Sequence, residues 1–223
     1  MNDLYHIQKN VTHIMTSLPS GVELVAAAKT RNADEVNAAV TAGIHAIGYN
    51  YIQEAERMRP LVGGSVPWHM IGHLQRNKVK KAVELFDMIE TIDSERLALE
   101  VDKQSAAVGK VMPVLIEINS GKESNKSGVL PENAIGLIRR IHHLSHLSIV
   151  GLMTMGPRFG DPEDARPYYQ ITKKIFDEIR RAEIPGVEMR YLSMGMSNSY
   201  RIAIAEGANI IRIGTALFGE RAE

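Results

Sequence analysis

The sequence predicts a closed (β/α)8 barrel of parallel strands forming a single domain over residues 1–223. Three observations predict it. Eight short apolar, β-branched runs recur along the chain. Amphipathic or charged stretches with helix start and stop residues separate them. A length of 223 residues provides room for eight strand–helix units around one core. Strands separated by helices run parallel, because parallel neighbours need a crossover connection. The alternative, an open doubly wound sheet, usually has fewer strands.

The first strand spans residues 22–28, apolar except for Glu23, and ends at Lys29. The helical pattern "ADEVNAAVTAG" follows and stops at a glycine. Strands at 45–49, 67–71 and 87–92 come next. "SERLALEVDKQSAAVG" opens with a serine N-cap, carries glutamate one residue later and closes in glycine. The strand at 112–119 precedes "PENAIGLIRRI", with proline in its first turn. The strand at 148–153 precedes "PEDARPYYQITKKIFDEIRRAEI", a long amphipathic helix with Pro167 near its beginning or at a kink. The strand at 188–192 leads to the helix "NSYRIAIAEGA", and the strand at 209–213 to a short terminal helix. No linker, low-complexity stretch or fixed-period repeat interrupts this series.

Composition narrows the function. Lys+Arg and Asp+Glu both number 26, so no basic surplus suggests nucleic acid or an anionic membrane as the main partner. Cysteine is absent, which excludes disulfides, thiolate metal sites and cysteine nucleophiles and fits a reducing compartment. "MNDLYHIQKNVTHIM" lacks the basic and apolar regions of a secretory signal. No apolar run approaches the roughly 20 residues needed to cross a bilayer. The expectation is a soluble cytoplasmic protein.

Barrel active sites lie where the strands end, at their C-terminal mouth. Lys29 occupies that position on the first strand. A lysine snorkelling at a strand end is the plain alternative. Other strand ends shift the balance. "SMGMSNS" and "RIGTALFG" each place a glycine and hydroxyl residues after a strand and before a helix. The loops after strands seven and eight are the usual phosphate location in barrels. A lysine facing a phosphate cradle suggests an imine to a phosphorylated carbonyl compound, in either a Schiff-base aldolase or a pyridoxal 5′-phosphate (PLP) protein. Arg212 helps to choose. It lies two residues before Gly214, on the same face of the strand and one step deeper, where a guanidinium could meet a pyridine nitrogen.

"LVAAAKTR", "GYNYIQEA", "WHMIGHLQRNK", "EINSGKESNKSG", "GLMTM", "LSMGMSNS" and "IRIGTALFG" together resemble the PLP homeostasis protein family, single-domain relatives of the N-terminal barrel of bacterial alanine racemase. The resemblance spans nearly the whole chain in order. It implies a fold-type III PLP barrel with PLP held as an internal aldimine on Lys29. Ser193, Gly195, Ser197, Gly214 and Thr215 would surround the phosphate, Asn50 would lie beside the cofactor, and Arg212 would face the ring nitrogen. His73, Met153 and Met155 would line the pocket more loosely. Three positions depart from the family pattern: Ala28 replaces a serine, Tyr49 a glutamate in a "GEN" string, and Asn198 an aspartate. The missing carboxylates put any proton relay at this mouth in question.

Enzymes that use PLP fully as an electron sink place an acid opposite the ring nitrogen. Arginine is permanently cationic and disfavours protonation there. Racemases of this fold class tolerate that, but add a second base, a tyrosine from a C-terminal domain. Here 11 residues follow Arg212. The resemblance therefore implies a carrier that keeps free PLP low and delivers it to apo-enzymes, and the absence of a partner domain removes a reason to dimerise, so a monomer is expected. A racemase-like enzyme, an aldolase and a scaffolding barrel are the competing readings.

His142 and His146 have a helical metal-pair spacing, but no cysteine or nearby carboxylate completes a ligand set, and the segment reads as a helix exit. "SGKESNKSG" lacks the first glycine of a Walker A motif. Lys122 and Lys126 read as solvated loop charges, with Lys126 kept open by the resemblance as a second amine for PLP in transit. Met153, Met155, Met194 and Met196 read as gap fillers around the pocket.

Overall fold

Period-two alternation in the first strand sets the architecture. On β1 (Glu23–Ala27), Val25 packs inward with Ala46, Ile71 and Ile210, whereas Leu24 and Ala26 join the larger apolar layer under the helices. The computed structural model describes residues 2–157 and 160–220. The chain continues from α1 (Asn2–Ser17) and β1 through α2 (Ala33–Thr41), β2 (Ala46–Tyr49), α3 (Ile52–Met58), β3 (Trp68–Met70) and α4 (Val79–Leu85). Next come β4 (Met88–Ile92), α5 (Glu95–Ala107), β5 (Met112–Ile118), α6 (Ala134–Ile141) and β6 (Leu147–Thr154). It ends with α7 (Arg166–Arg181), β7 (Val187–Ser193), α8 (Tyr200–Ala205), β8 (Ile210–Ile213) and α9 (Thr215–Phe218).

Among the described residues, eight strands pair in parallel in chain order, and β8 closes on β1 with Arg212 opposite Val25. Each expected strand is present, with its ends within one residue of the expected ones. The open-sheet alternative is excluded by closure.

The helices differ from expectation in four places. First, α1 was not anticipated. Its Ile7, Val11 and Ile14 recur at helical spacing, are buried, and seat the helix against α2 and α9. Asn10 Nδ2 also donates to the Leu217 carbonyl at 3.0 Å. Second, α3 and α4 were not anticipated either, being seven residues each. Third, Ser94 occupies the N-cap of α5 in an extended conformation but makes no side-chain capping bond. Fourth, α7 begins at Arg166 with Pro167 in its first turn, so the proline starts the helix rather than kinking it.

His142 caps the end of α6, so His142, His143 and His146 lie past the helix rather than along one face. His142 Nδ1 lies 3.1 Å from the Pro185 carbonyl. Among the described residues, no group of three or more His, Asp or Glu side chains is placed to hold a metal ion. No helix among them is long and apolar enough to cross a membrane.

Candidate functional site

The barrel's C-terminal mouth opens into a cavity of about 610 Å³, within the range of small-molecule sites. Lys29 lines it two residues beyond β1, and Arg212 lines it from β8. Because Arg212 pairs with Val25, the interior-facing series Val25, Ala27, Lys29 sets the amine two steps nearer the mouth than the guanidinium. The backbone turns sharply after the lysine: Thr30 has a φ of 65°, a left-handed conformation unfavourable for a β-branched residue. Strain of this kind clusters at functional sites.

Asn50 reaches the same cavity from the end of β2. Gly72 makes this possible, since a Cβ there would lie 2.4 Å from the Asn50 carbonyl oxygen. Ser197, Gly214 and Thr215 line the opposite wall from the loops after β7 and β8. Ser197 Oγ ties the two loops together, accepting from the backbone N–H groups of Gly214 at 3.3 Å and Ala216 at 3.2 Å. The β7 loop is braced from behind by Tyr169, whose buried hydroxyl lies 2.7 Å from Ser199 Oγ. Ile71, Met155 and Met196 supply apolar surface.

Four expected residues lie elsewhere. Ser193 is fully buried in the barrel interior beneath the cavity. Gly195 turns the β7 loop with a φ of 95°, and its carbonyl accepts from the Arg212 N–H at 3.0 Å. His73 lines an adjoining cavity of about 390 Å³ that shares Asn50. Its Nδ1 lies 3.2 Å from Ser127 Oγ and 3.8 Å from Asp93 Oδ2. Met153 packs below Met155 with Met88, Leu115 and Val150, so it fills the barrel without lining the cavity. Tyr49 stacks on Trp68 at 5.1 Å in the outer apolar layer, turned away from the mouth. Burial and the nearby Glu54 carboxylate hold its phenol above the usual tyrosine range.

Sequence reasoning missed a charged layer beneath the cavity. Arg212 Nη1 donates to Ser193 Oγ, and Nη2 donates to the Thr154 carbonyl at 2.8 Å. Ser193 Oγ donates to Glu90 Oε2 at 2.6 Å, and Glu90 Oε1 lies 2.7 Å from His69 Nδ1. Burial pushes the Glu90 carboxyl up, but the bond and charge of His69, the Arg212 charge and the Ser193 hydroxyl outweigh it, leaving it below the usual carboxylate range. Glu117 behaves oppositely. Burial and the Asp93 carboxylate, opposed by Arg212, leave its carboxyl pushed up to about 7. Arg31 was also missed as a cavity residue; it holds the β1 loop to Glu35 at 3.2 Å and to the Gly219 carbonyl. Its spacing two residues beyond Lys29 was the available signal.

A primary amine, a fixed cation and hydroxyl groups around one cavity fit a phosphorylated aldehyde. Residues 2–222 match the family model described as the alanine racemase N-terminal domain. A pyridoxal phosphate homeostasis protein of Aquifex aeolicus is 39% identical over 200 residues, covering 89% of this chain and 87% of that protein. The chain belongs to the pyridoxal phosphate homeostasis protein family. A family member from Pasteurella multocida is 34% identical, covering 98% of this chain and 96% of its own. Among solved structures, PipY of Synechococcus elongatus with PLP bound is 30% identical with a TM-score of 0.88, over 96% of this chain and all of that one. Alanine racemase of Clostridium difficile shares the fold at 15% identity and a TM-score of 0.80, this chain covering 61% of it.

Proposed function

We propose that this chain holds pyridoxal 5′-phosphate through the Lys29 amine and serves intracellular PLP homeostasis, buffering and delivering the cofactor without catalysing a reaction of its own. The observation that carries this reading is that Lys29, Arg212 and the Ser197–Gly214–Thr215 wall face one cavity. The membership of the family and the PLP-bound state of PipY support it. PLP supplies an electrophilic aldehyde and a pyridine ring able to drain carbanion charge. Lys29, lining the cavity, would hold the cofactor at its aldehyde end through its primary amine. Ser197, Gly214 and Thr215 take the phosphate end, with Gly195 and Ser193 shaping that wall from beneath. Asn50 and Met155 flank the ring, and His73 approaches from the adjoining cavity.

Arg212 decides against catalysis in this reading. It faces the ring nitrogen as a permanent cation, which disfavours ring protonation and leaves a weak electron sink. A racemase-like enzyme needs a second acid–base group opposite Lys29. Tyr49 is turned outward, and Tyr51 lines the adjoining cavity instead. Transient delivery to apo PLP enzymes, a monomeric state and a cytoplasmic location complete the proposal.

The test is incubation of the PLP-loaded protein with a panel of L- and D-amino acids. Binding without turnover is expected. Turnover that is lost in Lys29→Ala establishes the enzyme reading instead.

A further inference from the structure

The Arg212 guanidinium does not hold its place alone. We propose that Glu90 is a positioning residue for Arg212, setting through Ser193 both the orientation and the effective charge that the guanidinium presents to the cavity. The inference rests on the reading that Arg212 faces the cofactor's ring.

Glu90 is fully buried on β4, and a buried carboxylate persists only when paired and hydrogen-bonded. Both of its oxygens are engaged. Oε1 takes His69 Nδ1 from β3 at 2.7 Å, and Oε2 takes the Ser193 hydroxyl from β7 at 2.6 Å. An ionised carboxylate only accepts, so His69 must carry its proton on Nδ1. For the same reason the single hydroxyl proton of Ser193 points at Glu90. The lone pairs of Ser193 are thereby left for Arg212 Nη1, which donates to them.

The direction of this chain depends on Glu90 being an acceptor. In Glu90→Gln, an amide N–H directed at Ser193 turns the hydroxyl proton toward Arg212, setting donor against donor. Among the described residues, Arg212 then keeps only the Thr154 carbonyl at 2.8 Å and the Met155 sulfur at 3.2 Å. Charge changes as well. Glu90 Oε2 lies 3.7 Å from Arg212 Nη1 and offsets its positive charge from below. The Arg212 charge also acts on Glu117 from β5 and Tyr169 from α7, and Lys29 shares the cavity from β1.

Two measurements test this. The first needs no cofactor: nitrogen-15 NMR of the Arg212 side chain in the protein without PLP. Separate, slowly exchanging Nη signals are expected in the wild type and averaged ones in Glu90→Gln. Unchanged signals overturn the proposal whether or not PLP binds. The second follows the absorbance of the PLP-loaded protein with pH. Loss of the Glu90 charge leaves the site more positive, so the protonated C=N form should lose its proton at a pH lower by roughly one unit. Ser193→Ala keeps the charge and removes only the bridge; it should release PLP faster with a smaller shift of that midpoint. It also stands in should Glu90→Gln fail to fold, since Ser193→Ala with unaltered Arg212 signals overturns the proposal by itself. A wild type that forms no coloured complex refutes the PLP reading instead, and the NMR result still decides the role of Glu90.

Discussion

Arg212 on β8 and Lys29, two residues past the end of the neighbouring β1, face one cavity, the amine two interior steps above the guanidinium. Strand closure produces this relationship. Only when β8 pairs with β1 do residues 183 positions apart come to share a wall. Lys29 lines the cavity from the rim, and the cation at the floor is fixed by a buried network.

Glu117 links stability to pH. Its folded carboxyl titrates at about 7 against an ordinary value of 4.5. A raised value means the protonated form is favoured by folding, so its contribution is present below about pH 4.5 and lost as pH rises through about 7. Glu117→Gln removes that loss. Denaturant unfolding should show the variant more stable than the wild type by up to about 3 kcal/mol at pH 8, and no gain at pH 4.

Gly72 controls the position of Asn50. A methyl group at this position would meet the Asn50 backbone at 2.4 to 2.9 Å. Gly72→Ala should destabilise the protein by about 2 kcal/mol, and displacement of Asn50 should weaken PLP retention. Thermal unfolding and the rate of PLP release check the two effects separately.

Arg212→Gln leaves the buried Glu90 with only the His69 ring nitrogen and the Ser193 hydroxyl beside it among the described residues, without the Arg212 cation. Breaking a buried pair by removing one member costs about 3 kcal/mol or more. The variant should unfold at lower denaturant, and its PLP-loaded form should show an altered spectrum. An unaltered spectrum would place Arg212 away from the ring.

Much of the fold was legible because strands in a barrel interior and helices outside it leave opposite periodicities in sequence. Asn50 and Ser197 were placed by the family resemblance, whereas Lys29, Gly214 and Thr215 were legible as strand-end residues of the right chemistry and Arg212 by its parity with Gly214. The network beneath was not. His69 and Glu90 are 21 residues apart and meet only through the β3–β4 pairing, and within "DMIETI" a lone glutamate gives no sign that it faces inward. Ser193 and Gly195 were placed in the cavity wall by motif, whereas alternation along β7 sends Ser193 into the interior layer. The α1 helix was read only for targeting signals, although Ile7, Val11 and Ile14 carried its pattern.

The most direct measurement is borohydride reduction of the PLP-loaded protein followed by peptide mass analysis. The account predicts an absorbance band near about 420 nm, lost on reduction and absent in Lys29→Ala, with a single reduced pyridoxyl phosphate on Lys29. A modification on Lys126, whose Nζ pairs with Glu123 at 2.6 Å in a loop away from the cavity, or no modification at all, would contradict it.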